Sequence, residues 1–260
     1  MNVRRVTDYA RYKLKSSTIA NIHSPFVYNL AKTVIYENDD YYAYQQIETI
    51  RKKWKNDRSS ITVSDFGAGS RIFSGPKRRI SDICKYSVKS AKYGQLLFRL
   101  VNHFQPQNLL ELGTSLGITT SYMAAASRKA KIVSIEGDGA TFKIAQTTIK
   151  LARAKNVELV HSKFQDGLPK FLNHCNKLDF VFIDGHHNKQ ATLDYFSQCL
   201  TKSHSETVFV FDDINWSEEM KETWNAIKEN ELITVTIDLH SMGLAFLKNG
   251  IEKQHFLLNF

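Results

Sequence analysis

Cysteine is scarce in this sequence, with only three among 260 residues. Cys84, Cys175 and Cys199 are odd in number, widely spaced and without any CxxC pattern. A disulfide framework and a thiolate zinc site are both disfavoured, because each needs paired or closely spaced cysteines. We therefore expect three reduced thiols, as in proteins of a reducing cytoplasm.

Long hydrophobic runs are also missing. No segment approaches the roughly 20 apolar residues that a membrane-spanning helix needs. The basic N-terminal stretch MNVRRVTDYARYKLK lacks the apolar centre of a signal peptide. The sequence therefore predicts a cytoplasmic protein without a membrane span. Proline and glycine, at 4 and 12 residues, are too few for a low-complexity chain, so a packed globular core is expected.

Negative charge is in deficit: 35 Lys and Arg stand against 26 Asp and Glu, giving a net charge of +9. Such a surface attracts anions, which favours an anionic small-molecule substrate or a nucleic acid. The basic clusters at 51–55 and 77–79 are not interleaved with aromatic side chains that could stack on bases. No RNA-binding module is recognisable, so a nucleic-acid partner is disfavoured but stays open.

Helical and strand periodicities alternate from residue 93 to about residue 249. The apolar strand-like runs are NLLELG, KIVSIEG, VELVHS, LDFVFID and TVFVFDDI, and amphipathic helical segments separate them. This alternation predicts an α/β fold, a doubly wound and mostly parallel Rossmann-like sheet covered by helices. The runs LITVTIDL and MGLAFLKN are joined by too short a turn for a parallel crossover, so we expect an antiparallel C-terminal edge strand.

Residues 1–90 show a different pattern. Tyrosine-rich helical segments predominate, among them SPFVYNLAKTVIYEN and YYAYQQIETIRKKWKND. We predict an N-terminal helical cap over residues 1–90 and an α/β domain over residues 91–260. Tyr41, Tyr42 and Tyr44 of the cap either pack against that domain or cover its ligand.

Two glycine turns, VSDFGAGS and LLELGTSLG, could each hold a nucleotide-like cofactor. In an open α/β sheet the ligand lies beyond the carboxyl ends of the strands, at a turn between a strand and a helix. Only LLELGTSLG meets this requirement, because a helix follows it and the next strand ends in an acid, Glu136. We therefore expect the cofactor at Gly113–Gly117. VSDFGAGS is interpreted as a tight turn joining the cap to the domain, the alternative being a loop that contacts substrate.

The chosen turn, GTSLG, lacks the middle glycine of a dinucleotide fingerprint. Its E-x-G-x-x-x-G form resembles motif I of class I S-adenosylmethionine (SAM)-dependent methyltransferases. The longer stretch GQLLFRLVNHFQPQNLLELGTSLGITT is similar to the opening of small-molecule O-methyltransferases related to the catechol and caffeoyl-CoA enzymes. IHSPFVYNL and DFGAGS resemble an uncharacterised bacterial subgroup. The resemblance spans residues 93–249 and implies a SAM-binding methyltransferase domain that acts on a hydroxyl of a small molecule.

The resemblance also implies a set of cofactor contacts. Glu111 and Gly113 would lie beside the methionine part of SAM, and Glu136 would bind the ribose. In HSKFQDGLP, an aromatic ring would stack on the adenine, or would simply belong to the core, and a polar side chain would reach the adenine amino group. The implied set is Glu111, Gly113, Thr114, Ser115, Gly117, Glu136, Phe164, Gln165 (with Asp166 as its alternative) and Asp184.

Candidate catalytic residues follow the fourth and fifth strands of the predicted sheet, in FIDGHH and VFDDINW. By resemblance to metal-dependent members, Asp184, Asp212 and Asp213 would hold Mg²⁺ or another divalent cation, since converging carboxylates repel one another without one. The alternative is a metal-free enzyme in which Asp184 hydrogen-bonds cofactor or substrate. His186 or His187 would be the general base, in place of the lysine usual in the family.

Two other functions stay open on the sequence alone. The positive charge allows an RNA methyltransferase, and a binding protein could retain the cofactor fold without catalysis. By analogy with other capped members, a homodimer is a further expectation.

Overall fold

The computed structural model describes residues 3–64, 73 and 75–260. Its strands are β1 (Ser60–Thr62), β2 (Lys77–Arg79), β3 (Asn108–Leu112), β4 (Lys131–Glu136), β5 (Val157–His161), β6 (Phe180–Ile183), β7 (Val208–Asp212), β8 (Val235–Asp238), β9 (Met242–Phe246) and β10 (Gln254–Leu257). Its α-helices are α1 (Val3–Lys15), α2 (Pro25–Leu30), α3 (Tyr42–Asn56), α4 (Ile80–Tyr86), α5 (Ala91–Phe104), α6 (Ile118–Ala126), α7 (Gly139–Leu151), α8 (Phe164–His174), α9 (Lys189–Leu200) and α10 (Glu218–Glu229). A 3₁₀ turn at Ile19–Asn21 and a π-helical turn at Ala31–Ile35 flank α2.

Eight strands form one sheet in the order β10-β8-β9-β7-β6-β3-β4-β5. The five strands from β3 to β7 are mutually parallel, as their pairings show. β4 and β5 lie on one side of β3, while β6 and β7 lie on the other, so the chain reverses its winding at β3. The carboxyl end of β3 is therefore the topological switch point, where such sheets bind their ligands. The predicted doubly wound, mostly parallel fold is confirmed.

The C-terminal side of the sheet carries the predicted antiparallel hairpin. β9 pairs antiparallel with β8, and it also lies antiparallel to β7, between the two. One further strand, β10, pairs parallel with β8 and was not predicted. Its sequence, QHFL, is short and only partly buried. An outer strand of this kind needs no long apolar run, so it carries little strand signal.

The central strands are apolar throughout because helices bury both of their faces. Along β7, Val208 and Val210 face a core layer that includes α5, while Phe209 and Phe211 face the layer that includes α9 and α10. Successive side chains of a strand point to opposite faces, which explains the alternation. The ring of Phe196 in α9 packs edge-on against Phe209 at 5.1 Å. This two-sided burial holds the strand ends in fixed positions.

Residues 3–64 and 75–90 pack over the α5–α6 side of the sheet and contain more than helices. Besides α1 to α4, β1 and β2 pair as an antiparallel ribbon. Tyr44 is buried, with its ring 5.1 Å from Phe98 and 5.8 Å from Tyr122, and Tyr41 also packs on Phe98. Tyr42 is exposed. Tyr41 and Tyr44 therefore pack against the α/β part of the chain. The domain boundary at residue 90 stays a prediction.

All three cysteines are buried and unpaired, as their spacing indicates. Burial raises the pKa of each thiol above its ordinary value, so the thiols are held in the neutral form. Among the helices of the described ranges, none has the length and apolar character needed to cross a lipid bilayer.

A buried arginine ties α5 to the π-helical turn. The Nε atom of Arg99 donates to the Val34 carbonyl at 2.6 Å, and Nη2 donates to the Ile35 carbonyl at 3.3 Å. The guanidinium also lies 3.4 Å from the carboxylate of Glu37. Carbonyls at the end of a helix have no helical N–H to accept from, so Arg99 satisfies groups that would otherwise be buried without a partner.

Replacing Arg99 with methionine should lower the free energy of unfolding by about 2–3 kcal/mol, because two buried carbonyls lose their donors. Urea unfolding followed by circular dichroism measures this change. The matched control is Arg128→Met, which removes an exposed guanidinium and should change stability by less than about 0.5 kcal/mol. Equal stability of the two variants would refute the anchoring role of Arg99.

Candidate functional site

A cleft opens at the carboxyl ends of β3, β4 and β6, next to the switch point of the sheet. Loops after these three strands form its floor, and the β1–β2 ribbon and the start of α8 form its walls. The structure brings seven of the predicted residues into the lining of this cleft: Gly113, Ser115, Glu136, Phe164, Asp184, His186 and His187.

Gly113 allows β3 and β6 to approach each other at the cleft. Its φ is +105°, and an added Cβ would lie 1.8 Å from the carbonyl oxygen of Asp184. No residue other than glycine fits there, because the backbone of Asp184 cannot yield that much space. The Asp184 N–H donates to the Leu112 carbonyl at 2.8 Å, which continues the parallel pairing to the very end of the two strands.

Glu136 joins the turn after β3 to the turn after β4. Its Oε2 accepts from the Ser115 N–H at 2.8 Å, and its Oε1 accepts from the Asp138 N–H at 2.9 Å. Burial raises the pKa of Glu136, although these backbone donors oppose the shift. Each carboxylate oxygen can still accept a second hydrogen bond, so the side chain can meet a diol that enters the cleft.

Four residues of the predicted cofactor set do not line the cleft: Glu111, Thr114, Gly117 and Gln165. Glu111 is fully buried beneath the turn, where its carboxylate accepts hydrogen bonds from three hydroxyls. Their distances are 2.9 Å from Thr119, 2.5 Å from Thr120 and 2.5 Å from Ser134. The structure therefore places Glu111 as a support of the turn, because β3 directs its side chain toward α6 and β4 rather than toward the cleft.

The other three residues have local structural positions. The Thr114 hydroxyl lies 2.6 Å from that of Ser134, within the same buried network. Gly117 has a φ of +76° and precedes the first turn of α6. Gln165 is exposed on α8. All three residues belong to segments that border the cleft, but none of the three lines it.

Phe164 and His186 pack against each other on one wall of the cleft. Their rings are 5.0 Å apart, and the Phe164 ring contacts Tyr195 at 5.7 Å. The Tyr195 hydroxyl lies 2.7 Å from Nδ1 of His186, which fixes that imidazole. Phe164 is thus a core side chain that also lines the cleft, and its stacking on an adenine stays a prediction.

His187 presents its imidazole to the cleft beside Asp184. Its Nε2 lies 3.7 Å from Oδ1 of Asp184, and its ring centre lies 6.1 Å from that of Trp216. Both His186 and His187 have positive φ, at 62° and 40°. Non-glycine residues with positive φ are uncommon, because the surrounding fold must hold the strained backbone in place. They cluster at functional sites.

The three carboxylates predicted to converge do lie together, and a lysine accompanies them. The carboxyl groups of Asp184 and Asp212 lie close enough to influence each other's ionisation. Lys89, from the segment between α4 and α5, places Nζ 2.7 Å from Oδ2 of Asp212 and 2.6 Å from Oδ1 of Asp213. The cation nearest to these carboxylates is therefore a side chain of the protein itself.

Burial and neighbouring charge set the ionisation of this cluster. Burial, with the adjacent Asp212, raises the pKa of Asp184 well above its usual range, and burial raises that of Asp212 despite Lys89. Burial opposes ionisation of Asp213 as well, yet Lys89 and His187 hold its pKa below the usual range. Burial disfavours the charged form of Lys89, but the carboxylates outweigh it and raise its pKa. Lys89 is therefore charged and lies closest to an ionised Asp213.

The predicted divalent-metal site does not fit these side chains as the structure places them. Lys89 already contacts Asp212 and Asp213, so a second cation would have to share the same oxygens. Within the described ranges, no group of three or more His, Cys, Asp or Glu side chains has the arrangement of a metal site. The expectation that a cation must balance the carboxylates is met by Lys89, which the sequence analysis did not consider.

Asp138 in the cleft and Lys89 beside it were missed from the sequence. Asp138 caps α7: its Oδ1 accepts from the Thr141 N–H at 2.7 Å, and its Oδ2 accepts from the Ser64 N–H at 2.7 Å. An Asp directly before the start of a helix is a recognisable capping signal that could have indicated it. Lys89 carries no such signal, because it is remote in sequence from its partners.

The first two residues of VSDFGAGS border the same cleft. Val63 and Ser64 line it, as does Arg78 on β2. The rest of VSDFGAGS, from residue 65 to residue 70, lies outside the described residues. Its interpretation as a joining turn or a substrate-contacting loop therefore stays a prediction.

Comparison with known proteins gives a consistent picture. A protein-family model described as a methyltransferase domain matches residues 110–214. Over 131 residues the chain is 32% identical to a catechol O-methyltransferase of Niastella koreensis, covering 49% of this chain and 57% of that protein. Over 109 residues it is 31% identical to a transmembrane O-methyltransferase homolog of Mus musculus, covering 40% of this chain and 42% of that protein.

A solved structure supports the fold. The O-methyltransferase from Bacillus cereus, crystallised in complex with S-adenosylhomocysteine (SAH), superposes with a TM-score of 0.58 at 18% identity, over 89% of this chain and 100% of that chain. At that identity the likeness concerns the fold alone. The chain spans about half the length of the curated relatives it matches. These similarities agree with the resemblance to methyltransferases that the sequence indicates.

Glu111 should make stability depend on pH. Burial raises its pKa from 4.5 to about 7. Between these values the folded protein holds a proton that the unfolded chain releases, so the stabilisation is present below pH 4.5 and is lost as pH rises through 7. Relative to Glu111→Gln, the wild type should lose about 3 kcal/mol of unfolding free energy over this window.

Urea unfolding of both proteins at pH 4.5 and 7.5 measures this difference. Glu231→Gln, which changes an exposed acid, serves as the control and should follow the wild type at both pH values. A difference between wild type and Glu111→Gln that stays constant with pH would contradict the buried, protonated state of Glu111.

Proposed function

We propose that the protein transfers the methyl group of SAM to a hydroxyl of a small molecule. The observation that carries the proposal is the cleft at the switch point, where the Gly113 turn, the Ser115 N–H and the carboxylate of Glu136 face one space. The likeness to a bacterial catechol O-methyltransferase supports the same reaction class.

The cleft residues fit the parts of SAM. The turn at Gly113 lines the cleft with backbone in a conformation that favours glycine, and the methionine portion would lie beside it. Glu136 has spare acceptor capacity for the two ribose hydroxyls, and the Phe164 ring offers an apolar wall to the adenine. When bound, SAM would supply an electrophilic methyl group on a sulfonium.

His187 would accept the proton that the acceptor hydroxyl loses. With SAM bound, the acceptor oxygen would take the methyl carbon from sulfur, SAH would be the leaving group, and Nε2 of His187 would take the hydroxyl proton. The ionised Asp213, whose pKa is lowered in part by His187, would stabilise the imidazolium. His186 is the weaker candidate, since Tyr195 already occupies its Nδ1. A histidine suits this role because it titrates near neutral pH.

Two basic side chains of the lining would favour an anionic acceptor, while the acids Glu136, Asp138 and Asp184 line other parts of the same cleft. Arg78 and Lys163 both line it, on the wall formed by the ribbon and the start of α8. With a net charge of +9, the protein attracts anions over its whole surface, and these two side chains concentrate the effect beside the reacting groups. Homodimerisation and a cytoplasmic location stay predictions of the sequence.

Glu136→Ala should weaken SAM binding by about 30-fold, roughly 2 kcal/mol, because the ribose loses a charged acceptor. Isothermal titration calorimetry with SAM and with SAH measures the affinity, and a melting curve confirms that the variant is folded. Glu158→Ala, an exposed acid on β5, is the matched control and should bind as the wild type does. Absence of SAM binding by the wild type would end the proposed function, and full affinity in Glu136→Ala would end this assignment.

His187→Asn should lower kcat by at least about 100-fold, the usual contribution of a positioned base, while SAM affinity is unchanged. Methylation is assayed with catechol and with 3,4-dihydroxybenzoate, whose carboxylate tests the preference for an anion. His174→Asn, an exposed histidine at the end of α8, is the control. If His186→Asn loses kcat and His187→Asn does not, the base is His186 and the present assignment is wrong.

A further inference from the structure

The acidic cluster lies where two neighbouring parallel strands end. Asp184 follows the last residue of β6. Asp212 is the last residue of β7, and Asp213 follows it. Asp212 is fully buried, and neither of its carboxylate oxygens has a hydrogen-bond partner of standard geometry among the described residues. Carboxylates gathered in this way need a positive charge close by, since their repulsion would otherwise destabilise the strand ends.

Lys89 supplies that charge. Its ammonium donates to Oδ1 of Asp213 at 2.6 Å and to Oγ of Ser241 at 3.3 Å. It also lies 2.7 Å from Oδ2 of Asp212, as an ion pair without hydrogen-bond geometry. Ser241 in turn donates to Oδ1 of Asp213 at 3.4 Å. The ammonium thus lies among three oxygens, and only 13% of the Lys89 side chain is exposed.

A divalent cation and this ammonium exclude each other. Mg²⁺ binds oxygen at about 2.0–2.1 Å and demands near-octahedral geometry. Mg²⁺ at that distance from the same oxygens of Asp212 and Asp213 would lie very close to Nζ of Lys89. The repulsion between the metal ion and the ammonium is largest there. One cation at a time can therefore occupy this position.

We propose that Lys89 takes the place of a divalent cation at the carboxylates of Asp184, Asp212 and Asp213, so that the site is balanced by a built-in charge. The same contact fixes the segment between α4 and α5, whose Ser87 lines the cleft. Lys89 is in this sense a positioning residue, since it acts on the cleft through the aspartates and through its own backbone. Because Lys89 stands where a divalent cation would bind, methyl transfer, which is the proposed function, does not depend on added metal.

Replacing Lys89 with methionine tests this directly, because the apolar chain keeps the length and removes the charge. The protein is stripped with EDTA and titrated with Mn²⁺, whose free ion is counted by electron paramagnetic resonance. Wild type should leave Mn²⁺ free. Lys89→Met should bind Mn²⁺ at least about tenfold more tightly, through the carboxylates that have lost the ammonium. Lys92→Met is the matched control: it removes a nearby lysine whose Nζ lies over the Phe260 ring, 4.0 Å from its centre, and should behave as wild type.

Each result of the Mn²⁺ titration and of the folding measurement either supports or overturns the proposal. Tight Mn²⁺ binding by the wild type, or a folded Lys89→Met that binds no better than wild type, would overturn the proposal. If Lys89→Met folds only when Mg²⁺ or Mn²⁺ is present, as judged by circular dichroism, the rescue supports it, and a variant that stays unfolded with these ions overturns it. Because none of these readouts involves methyl transfer, they are independent of whether the proposed function is correct.

Discussion

The contact between the backbone at Gly113 and the carbonyl of Asp184 is the constraint on which the site depends. It draws the ends of β3 and β6 together with no side chain between them. Because the sheet winds in opposite directions from β3, the space above this contact is left uncovered by helices, and the loops after β3, β4 and β6 meet around it. A bulkier residue at position 113 would separate the cofactor turn from the loop that carries the histidines.

Two acids at the ends of different strands show how the same chemical group takes different roles. Glu111 is buried among hydroxyl donors, with no cation beside it among the described residues, so it supports the turn from below. Asp213 follows β7, lies against Lys89 and remains ionised. Environment, rather than residue type, distinguishes a structural acid from one that shapes the electrostatics of a reaction.

The sequence was most informative where local pattern and tertiary structure agree. The alternation of apolar strands and amphipathic helices predicted the sheet, and the glycine turn with Glu136 one strand further on predicted where the cleft lies. The outer strand β10 was missed because a partly buried edge strand needs no apolar run. Lys89 was missed because pairing across distant segments leaves no periodicity, and the metal prediction, which considered only the three aspartates, stays unconfirmed.

The ion pair of Lys89 has a consequence for how the molecule is made. Lys89 and Asp213 are 124 residues apart in the chain. Contacts of such high sequence separation close large loops and form late in folding. During synthesis the lysine leaves the ribosome well before its aspartates, so the emerging chain cannot complete this pocket until β7 has been translated and docked. A stalled or prematurely terminated product would contain the glycine turn yet lack the charge balance beside it.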